Sequence, residues 1–175
     1  MIAVIDYGAG NIFSVKNALD YLGFDSMLTN KKEDIENADA LILPGVGAFP
    51  SAMSMLEKSG LIETIVSQSK QKPFLGICLG MQLIFEKGYE FEECNGLGLI
   101  PGCVKKMEEP DLIIPHMGWN KLEIQNDCPL LFGLKKDSYV YFVHDGNTVY
   151  GAQFHPEKSG DTGLKILKNF GGLIK

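Results

Sequence analysis

A glycine-flanked cysteine constrains this chain more than any other feature of its sequence. The run from Lys72 to Gln82 reads KPFLGICLGMQ, with Cys78 two residues after one glycine and two residues before another. Within the run, a short apolar stretch precedes the cysteine and a helical pattern begins after the second glycine. This layout is typical of a nucleophile elbow, a strand-to-helix turn too tight for side chains at the flanking positions. Because the thiol would stand at a helix N-terminus, backbone N–H groups and the helix dipole would favour a thiolate and stabilise an oxyanion.

The first half of the sequence alternates short apolar strands with helical patterns. Strands are predicted at residues 2–6, 24–28, 40–43 and 73–77, the third being stopped by Pro44 and Gly45. Helices are predicted at residues 12–22 with Asn11 as the cap, along one apolar stripe from Met53 to Ile65, and at residues 79–86. Continuous apolar strands joined by helices predict a parallel sheet that is covered on both faces.

The second half of the sequence has a different character. Glycine and proline interrupt residues 95–142, and the short β-like runs there predict antiparallel or mixed strands added to the parallel core. These runs are residues 112–114, 121–124 and 139–143, followed by a strand at residues 148–154 and a closing helix at residues 163–170. We interpret residues 1–175 as a single α/β domain with a mixed, mostly parallel sheet.

Composition and charge exclude several classes of protein. The formal net charge is -6, with 16 basic and 22 acidic residues, which argues against a nucleic-acid partner. No apolar run is long enough for a membrane span, and no segment has the pattern of a secretion signal. The four cysteines form no Cys-x-x-Cys pair and histidines are few, so we expect no metal, no cofactor, reduced thiols and a cytoplasmic location.

A cysteine nucleophile needs a base and a group that orients the base. His155 and Glu157 lie in the run QFHPEK, two residues apart, so an extended backbone would point both side chains the same way. By itself this is more often a surface turn, but combined with the elbow it predicts that Glu157 orients His155 and that His155 moves the proton of Cys78. His116 and His144 have no carboxylate at that spacing and are interpreted as structural or contact residues.

Two glycine-containing segments follow predicted strands. In the run LPGVGAF, residues 45–47 would expose backbone N–H groups, so an oxyanion would be held by the N–H of Leu79 and one from this loop, at Val46 or Gly47. The run DYGAGN near the N-terminus lacks the last glycine of a dinucleotide-binding fingerprint, since position 13 is Phe, and we reject that site. Together these features predict covalent acyl transfer at Cys78.

These motifs resemble class I, triad-type glutamine amidotransferases. The resemblance rests on GICLGMQ and QFHPEK, and on DYGAGN, PGVGAF, PHMGWN and HPEKS, which together extend from residue 2 to about residue 170. It implies a flavodoxin-like fold and hydrolysis of glutamine by a triad of Cys78, His155 and Glu157. It further implies that the ammonia passes, shielded from water, to a HisF-like (β/α)8-barrel cyclase in histidine biosynthesis.

The same resemblance implies roles for residues around the triad. Gln82, with Gly45, would help to bind the glutamine substrate, and Gly47 would lie in an oxyanion loop that rearranges when the cyclase is loaded. Four residues would face the barrel: Asn11, Met117, Trp119 and Lys158. From the sequence alone, Trp119 fits a core position as well as an interface anchor, and the resemblance favours the interface.

The chain departs from the family after His144. The family continues there with a Ser-Tyr pair that contributes to the glutamine pocket and with a further strand, whereas this chain continues directly with Asp145 and Gly146. Either the chain is shortened and closed by a tight Asp-Gly hairpin turn, or a segment of the natural protein is absent from this sequence. We favour the second explanation, because a shortened chain would lose part of its substrate pocket.

Other functions remain open from the sequence. A paralogous amidotransferase would supply ammonia to another pathway, such as surface-glycan or nucleotide-sugar amination. A peptidase or other hydrolase could use the same core and elbow, although Glu157 and the PHMGWN segment speak against it. A binding subunit with a decayed site is disfavoured by the complete set of Cys78, His155 and Glu157.

Overall fold

A six-stranded, mostly parallel sheet carries the candidate residues. The computed structural model describes residues 1–106, 127–134, 142–145 and 148–174. Its elements in chain order are β1 (Ile2–Ile5), α1 (Ile12–Tyr21), β2 (Ser26–Thr29), α2 (Lys32–Asn37), β3 (Ala40–Gly45), α3 (Phe49–Ser59), α4 (Ile62–Ser69), β4 (Phe74–Cys78), α5 (Leu79–Leu83), β5 (Phe85–Gly88), β6 (Cys94–Asn95), β7 (Ile100–Val104), a 3-10 turn (Pro129–Leu131), β8 (Phe142–Asp145), β9 (Val149–Ala152), a second 3-10 turn (Pro156–Lys158) and α6 (Gly160–Gly171).

The strand order of the main sheet is β2-β1-β3-β4-β9-β8. All neighbouring pairs are parallel except β8 and β9, which run antiparallel. Gly45 at the end of β3 lies opposite Cys78 at the end of β4. Because parallel strands end at the same edge of a sheet, the loops after β1, β3, β4 and β9 meet there, which is where open α/β sheets bind ligands.

Alternate residues of the strands enter two separate cores. In β3, Leu41 and Leu43 belong to the cluster on one face, and Ala40 and Ile42 to the cluster on the other. The first cluster includes buried residues of α2, α3, α4 and α5, and the second includes those of α1 and α6. The mixed, mostly parallel α/β sheet with helices on both faces, predicted from the sequence, is therefore confirmed.

The helix after the elbow is shorter than predicted. We expected residues 79–86, but α5 ends at Leu83 and Phe85 begins β5, in a small sheet of order β6-β5-β7. The carbonyls of Leu83, Ile84 and Phe85 accept N–H groups from residues 97–100, which holds this segment against the chain of the small sheet. Contacts made far along the chain thus override the local helical pattern.

Two other predicted boundaries are wrong for local reasons, and one helix was missed. β3 continues through Pro44 to Gly45, where it still pairs with β4. Its pairing with β1 on the other edge has already ended at Ile42, so the proline, which has no N–H, breaks no hydrogen bond to β1. The stripe from Met53 to Ile65 divides into α3 and α4 at Gly60, which has a left-handed φ of 69°. The short helix α2 was not predicted.

The remaining strand predictions are only partly covered by the described residues. The run at residues 139–143 overlaps β8, while the runs at residues 112–114 and 121–124 lie outside the described part of the chain. Within that part, none of the helices is both long enough and apolar enough to cross a membrane.

Candidate active site

Cys78 occupies a strained turn at the end of β4. Its φ of 56° and ψ of -116° form an unusual conformation for a residue other than glycine, and such strain concentrates at functional sites. A Cβ added at Gly80 would lie 1.9 Å from the carbonyl oxygen of Leu43, and one at Gly76 would lie 2.7 Å from that of Gly80. The glycines therefore flank Cys78 for the steric reason that the sequence predicted.

The environment of the thiol differs in one respect from the prediction. Because α5 contains five residues, its macrodipole is small, and an anion at Cys78 would depend on individual N–H groups of the elbow instead. The other thiols lie in ordinary settings: Cys103 is exposed, and burial raises the pKa of both Cys94 and Cys128. All four cysteines are free.

His155 lies between Cys78 and Glu157. Its Nδ1 is 2.8 Å from Oε1 of Glu157, whose side chain is completely buried. Hydrogen bonding to Cys78 and then to Glu157 raises the pKa of His155 to about 9, against an opposing effect of burial. This arrangement favours an imidazolium beside the thiol, which is the protonation state that a cysteine nucleophile requires of its partner.

The backbone conformation that brings Glu157 to His155 differs from the predicted one. We expected an extended backbone, but β9 ends at Ala152 and Glu157 lies in the 3-10 turn that starts at Pro156. The turn brings the carboxylate back onto the ring, and Ser159 Oγ donates to the carbonyl of His155 at 2.7 Å. Gly163 allows α6 to pack against this turn, because a Cβ there would lie 2.0 Å from the carbonyl oxygen of Pro156.

Gln82 and Cys78 are linked through a residue that the sequence did not single out. Gln82 Nε2 donates to Oε1 of Gln153 at 3.0 Å, and Gln153 Nε2 donates to Sγ of Cys78 at 3.9 Å. Gln82, which the sequence predicts to bind substrate, is thus connected to the thiol through the side chain of Gln153. The sequence could have drawn attention to Gln153 only through its position two residues before His155. Its partners, Gln82 and Cys78, are distant in the sequence, and only the fold brings them together.

The predicted oxyanion loop begins beside the elbow. Gly45 packs so closely that an added Cβ would lie 2.7 Å from the N atom of Gly80. Val46 is 46% exposed and Gly47 has a left-handed φ of 103°. At the far side of the loop, the N–H of Phe49 donates to Oε2 of Glu90 at 2.8 Å, which stabilises the start of α3.

Two of the four predicted interface residues fall within the described part of the chain. Asn11 precedes α1 and accepts a hydrogen bond from Ser14 Oγ at 2.8 Å, and Lys158 is exposed in the 3-10 turn after His155. α1 contacts this turn, so both residues belong to neighbouring elements near the site. Met117 and Trp119 lie outside the described residues, as does His116, and only the backbone of His144 is described, in β8.

The side chains of the described residues form no group of three or more His, Cys, Asp or Glu that could hold a metal ion. At the site itself, the Cys78 thiol, the His155 imidazole and the Glu157 carboxylate follow one another, with the carboxamides of Gln82 and Gln153 beside them. This set suits nucleophilic attack on a carbonyl carbon and proton transfer to a leaving group.

Comparison with known proteins decides the family. The family model described as glutamine amidotransferase class-I matches residues 3–146. The chain belongs to this family. The match includes Cys78, Gln82 and the loop of residues 45–47, and it ends before His155 and Glu157. The family that the motifs predicted is confirmed.

Curated relatives within this family are similar over their whole length. The HisH subunit of imidazole glycerol phosphate synthase from Bacillus thuringiensis (strain Al Hakam) is 47% identical over 100% of this chain and 96% of the relative. The corresponding subunit from Caldanaerobacter subterraneus subsp. tengcongensis is 48% identical over 100% of this chain and 99% of the relative. This class-I amidotransferase is thus an enzyme subunit similar to HisH of histidine biosynthesis.

Solved structures show the same fold at low identity. A glutamine amidotransferase structure superposes with a TM-score of 0.72 at 20% identity, covering 98% of this chain and all of the other. The structure of PurLQS from Thermotoga maritima gives a TM-score of 0.70 at 19% identity, with 99% and 98% covered. These likenesses confirm the amidotransferase fold.

The relatives also reveal a difference in length. The alignments run over 202 positions and include all of a chain of 175 residues, so about 27 of those positions have no counterpart here. We predict from the sequence that the unmatched positions lie after His144. In the structure, β8 and β9 pair directly, with Asp145 opposite Val149, leaving three residues for their connection.

Proposed function

We propose that this class-I amidotransferase hydrolyses glutamine to glutamate and ammonia through a thioester on Cys78. The ammonia would be delivered to a HisF-like (β/α)8-barrel cyclase that makes imidazole glycerol phosphate and AICAR. The observation that carries the proposal is the strained, glycine-flanked Cys78 with His155 and Glu157 hydrogen-bonded beside it. Identity of 47% to HisH subunits supports the assignment of the pathway.

In the first half of the reaction, the Cys78 thiolate attacks the side-chain carboxamide carbon of glutamine. The C=O electrons move to oxygen, and the resulting oxyanion is held by the N–H of Leu79 and one from Val46 or Gly47. When the intermediate collapses, the C–N bond breaks and His155 gives its proton to the leaving nitrogen. The products are ammonia and a γ-glutamyl thioester, with neutral His155 held in place by Glu157.

In the second half of the reaction, water attacks the thioester. Neutral His155 takes a proton from the water, a second tetrahedral oxyanion forms in the same place, and the C–S bond breaks. Glutamate leaves, and the Cys78 thiolate and the His155 imidazolium are restored. Glu157 remains ionised throughout and fixes the ring, as the carboxylate of a triad does.

The proposed partner would bind at the sheet edge where the site opens. Asn11 and Lys158 would contact the barrel, together with Met117 and Trp119, and residues 1–175 would act as one amidotransferase domain in a heterodimer. Gln82 and Gly45 would bind glutamine. No cofactor enters this scheme, and we place the complex in the cytoplasm, where glutamine and reduced thiols are available.

Ammonia release from glutamine tests the proposal. The wild-type protein would be assayed alone, with a HisF barrel, and with the barrel and its ligand, beside Cys78→Ala and Cys103→Ala. We expect weak activity alone, strong stimulation by the loaded barrel, and a loss of about 10³-fold or more in Cys78→Ala. Cys103→Ala is the matched control, because Cys103 is exposed on the small sheet, and it should behave like wild type.

Each alternative predicts a different result in this assay. Strong glutaminase activity without the barrel would contradict partner control, and no ammonia under any condition would remove the proposal. Stimulation by a different acceptor enzyme, with failure to rescue a histidine auxotroph lacking HisH, would identify a paralogue of another pathway. Rescue of that auxotroph by wild type but not by Cys78→Ala would support the proposal in cells.

A further inference from the structure

The hydroxyl of Tyr7 is buried beside the elbow without a hydrogen-bond partner among the described residues. Tyr7 follows β1, its side chain belongs to the core on the α5 face, and the residue is 5% exposed. A buried hydroxyl that makes no hydrogen bond costs free energy, and nearly all such groups in folded proteins are satisfied. A phenylalanine would fill the same space without that cost, so the hydroxyl calls for an explanation.

The position of this hydroxyl connects it with Cys78. A Cβ built on Gly45 would lie 2.9 Å from the Tyr7 oxygen and 2.7 Å from the N atom of Gly80, so all three groups meet at one point beneath the turn. Gly45 is also the residue paired with Cys78 across β3 and β4. The Tyr7 hydroxyl therefore lies beside the elbow and is shielded from solvent.

We propose that Tyr7 is a positioning residue for Cys78, whose buried O–H dipole stabilises the negative charge that the thiol acquires. Among the described residues the hydroxyl has no fixed hydrogen-bond partner, so its dipole can act on the charge of the Cys78 thiolate. A preorganised dipole in a water-excluded place acts more strongly than one in solvent, and it needs no reorganisation when the charge forms.

Electrostatics in the structure agree with this assignment. Burial, and then the charge of Cys78, raise the pKa of Tyr7 well above its usual value, which favours the protonated hydroxyl. In the described part of the chain, the other titratable groups at Cys78 are His155, which hydrogen-bonds to it, and Glu157, which holds His155. Tyr7 keeps its proton in this scheme and does not take part in proton transfer.

This inference rests on the proposed role of Cys78 as the nucleophile, but its test needs neither glutamine nor the barrel. The rate at which iodoacetamide alkylates Cys78 would be measured from pH 5 to pH 10, by mass spectrometry of the peptide containing Cys78. The proteins compared would be wild type, Tyr7→Phe, and Tyr21→Phe as the matched control, because Tyr21 is an exposed tyrosine at the end of α1.

In Tyr7→Phe we expect alkylation at neutral pH to slow by roughly threefold to tenfold, and the midpoint of the pH profile to rise. The melting temperature should be equal to that of wild type or higher, because an unsatisfied hydroxyl is removed. Tyr21→Phe should match wild type in both measurements. In the glutamine assay, kcat of Tyr7→Phe should fall while KM stays near the wild-type value.

Two outcomes would overturn the inference. An alkylation profile of Tyr7→Phe that coincides with wild type would mean that the hydroxyl does not act on Cys78. A lower melting temperature, or failure to fold, would mean that the hydroxyl has a structural partner in the native protein. An inactive wild type in the glutamine assay would contradict the proposed function but would leave the alkylation result interpretable.

Discussion

The charge state of His155 links the stability of this protein to pH at the scale of single residues. Cys78 and Glu157 raise the pKa of His155 to about 9 in the folded protein, from an ordinary value of 6.5. A histidine whose pKa is raised on folding contributes stability that is complete below the unfolded pKa and is lost as pH rises through the folded one. The contribution of His155 should therefore decline between pH 6.5 and about 9.

We expect the free energy of unfolding in urea to decrease over that range in wild type. His155→Gln removes the titrating group but keeps a hydrogen-bonding side chain of similar length, so its decrease should be smaller. Unfolding curves measured at half-unit pH intervals for both proteins would check this. An equal decrease in the two proteins would show that other groups, not His155, produce the pH dependence.

The sequence patterns singled out the candidate triad but not the side chains around it. Cys78, His155 and Glu157 were predicted because their spacing is local and their chemistry is distinctive. Gln153 and Tyr7 were not, because a glutamine or a tyrosine is unremarkable until the fold brings Gln82, Gly45 and Gly80 beside it. Residues whose roles depend on distant partners carry no signal in a single sequence.

At the scale of elements, a lysine from another part of the chain supports the short helix α2. Lys72 Nζ donates to the carbonyl oxygens of Ile35, Glu36 and Ala38, at 3.2, 2.8 and 2.6 Å, where α2 ends. The last carbonyls of a helix have no partner within it, and a cation there also interacts favourably with the helix dipole. This contact explains why a six-residue helix without a predicted signal is stable.

Replacing Lys72 with methionine should therefore destabilise the protein by about 1–3 kcal/mol, because three carbonyl partners lose their donor while the aliphatic stem is kept. The exposed Lys70 offers a matched control, and Lys70→Met should change stability by less than about 0.5 kcal/mol. Urea unfolding of the two variants would measure the difference. Equal stabilities would mean that the Lys72 contacts contribute nothing measurable.

Element ends were the least predictable part of the fold. The parallel strands of the main sheet were recognised because continuous apolar runs identify buried parallel strands, but β5, β6 and β7 of the small sheet were not predicted. Helix ends were not predicted either, since residues 97–100 hold the chain after α5 in the small sheet and α2 depends on Lys72. Both cases are tertiary contacts that override local preference, which a pattern within one segment cannot reveal.

At the scale of the whole molecule, about 27 of the positions aligned with the relatives have no counterpart in this chain. β8 and β9 pair directly, with three residues between them. We nevertheless expect the natural protein to carry the extra segment, because the family's Ser-Tyr pair contributes to the glutamine pocket. Mass spectrometry of the intact natural protein should then give more than 19.2 kDa, and a mass of 19.2 kDa would contradict this expectation.

The loop of residues 45–47 is fixed on both sides. Gly45 is held in the ladder with Cys78, and Phe49 is held by Glu90, so three residues, Val46, Gly47 and Ala48, lie between the two attachments. A segment this short cannot move as a body without breaking one of them. It can rotate single peptide planes, which redirects N–H groups toward or away from Cys78. Two states of the loop would then have nearly the same Cα trace and differ in the direction of one or two dipoles.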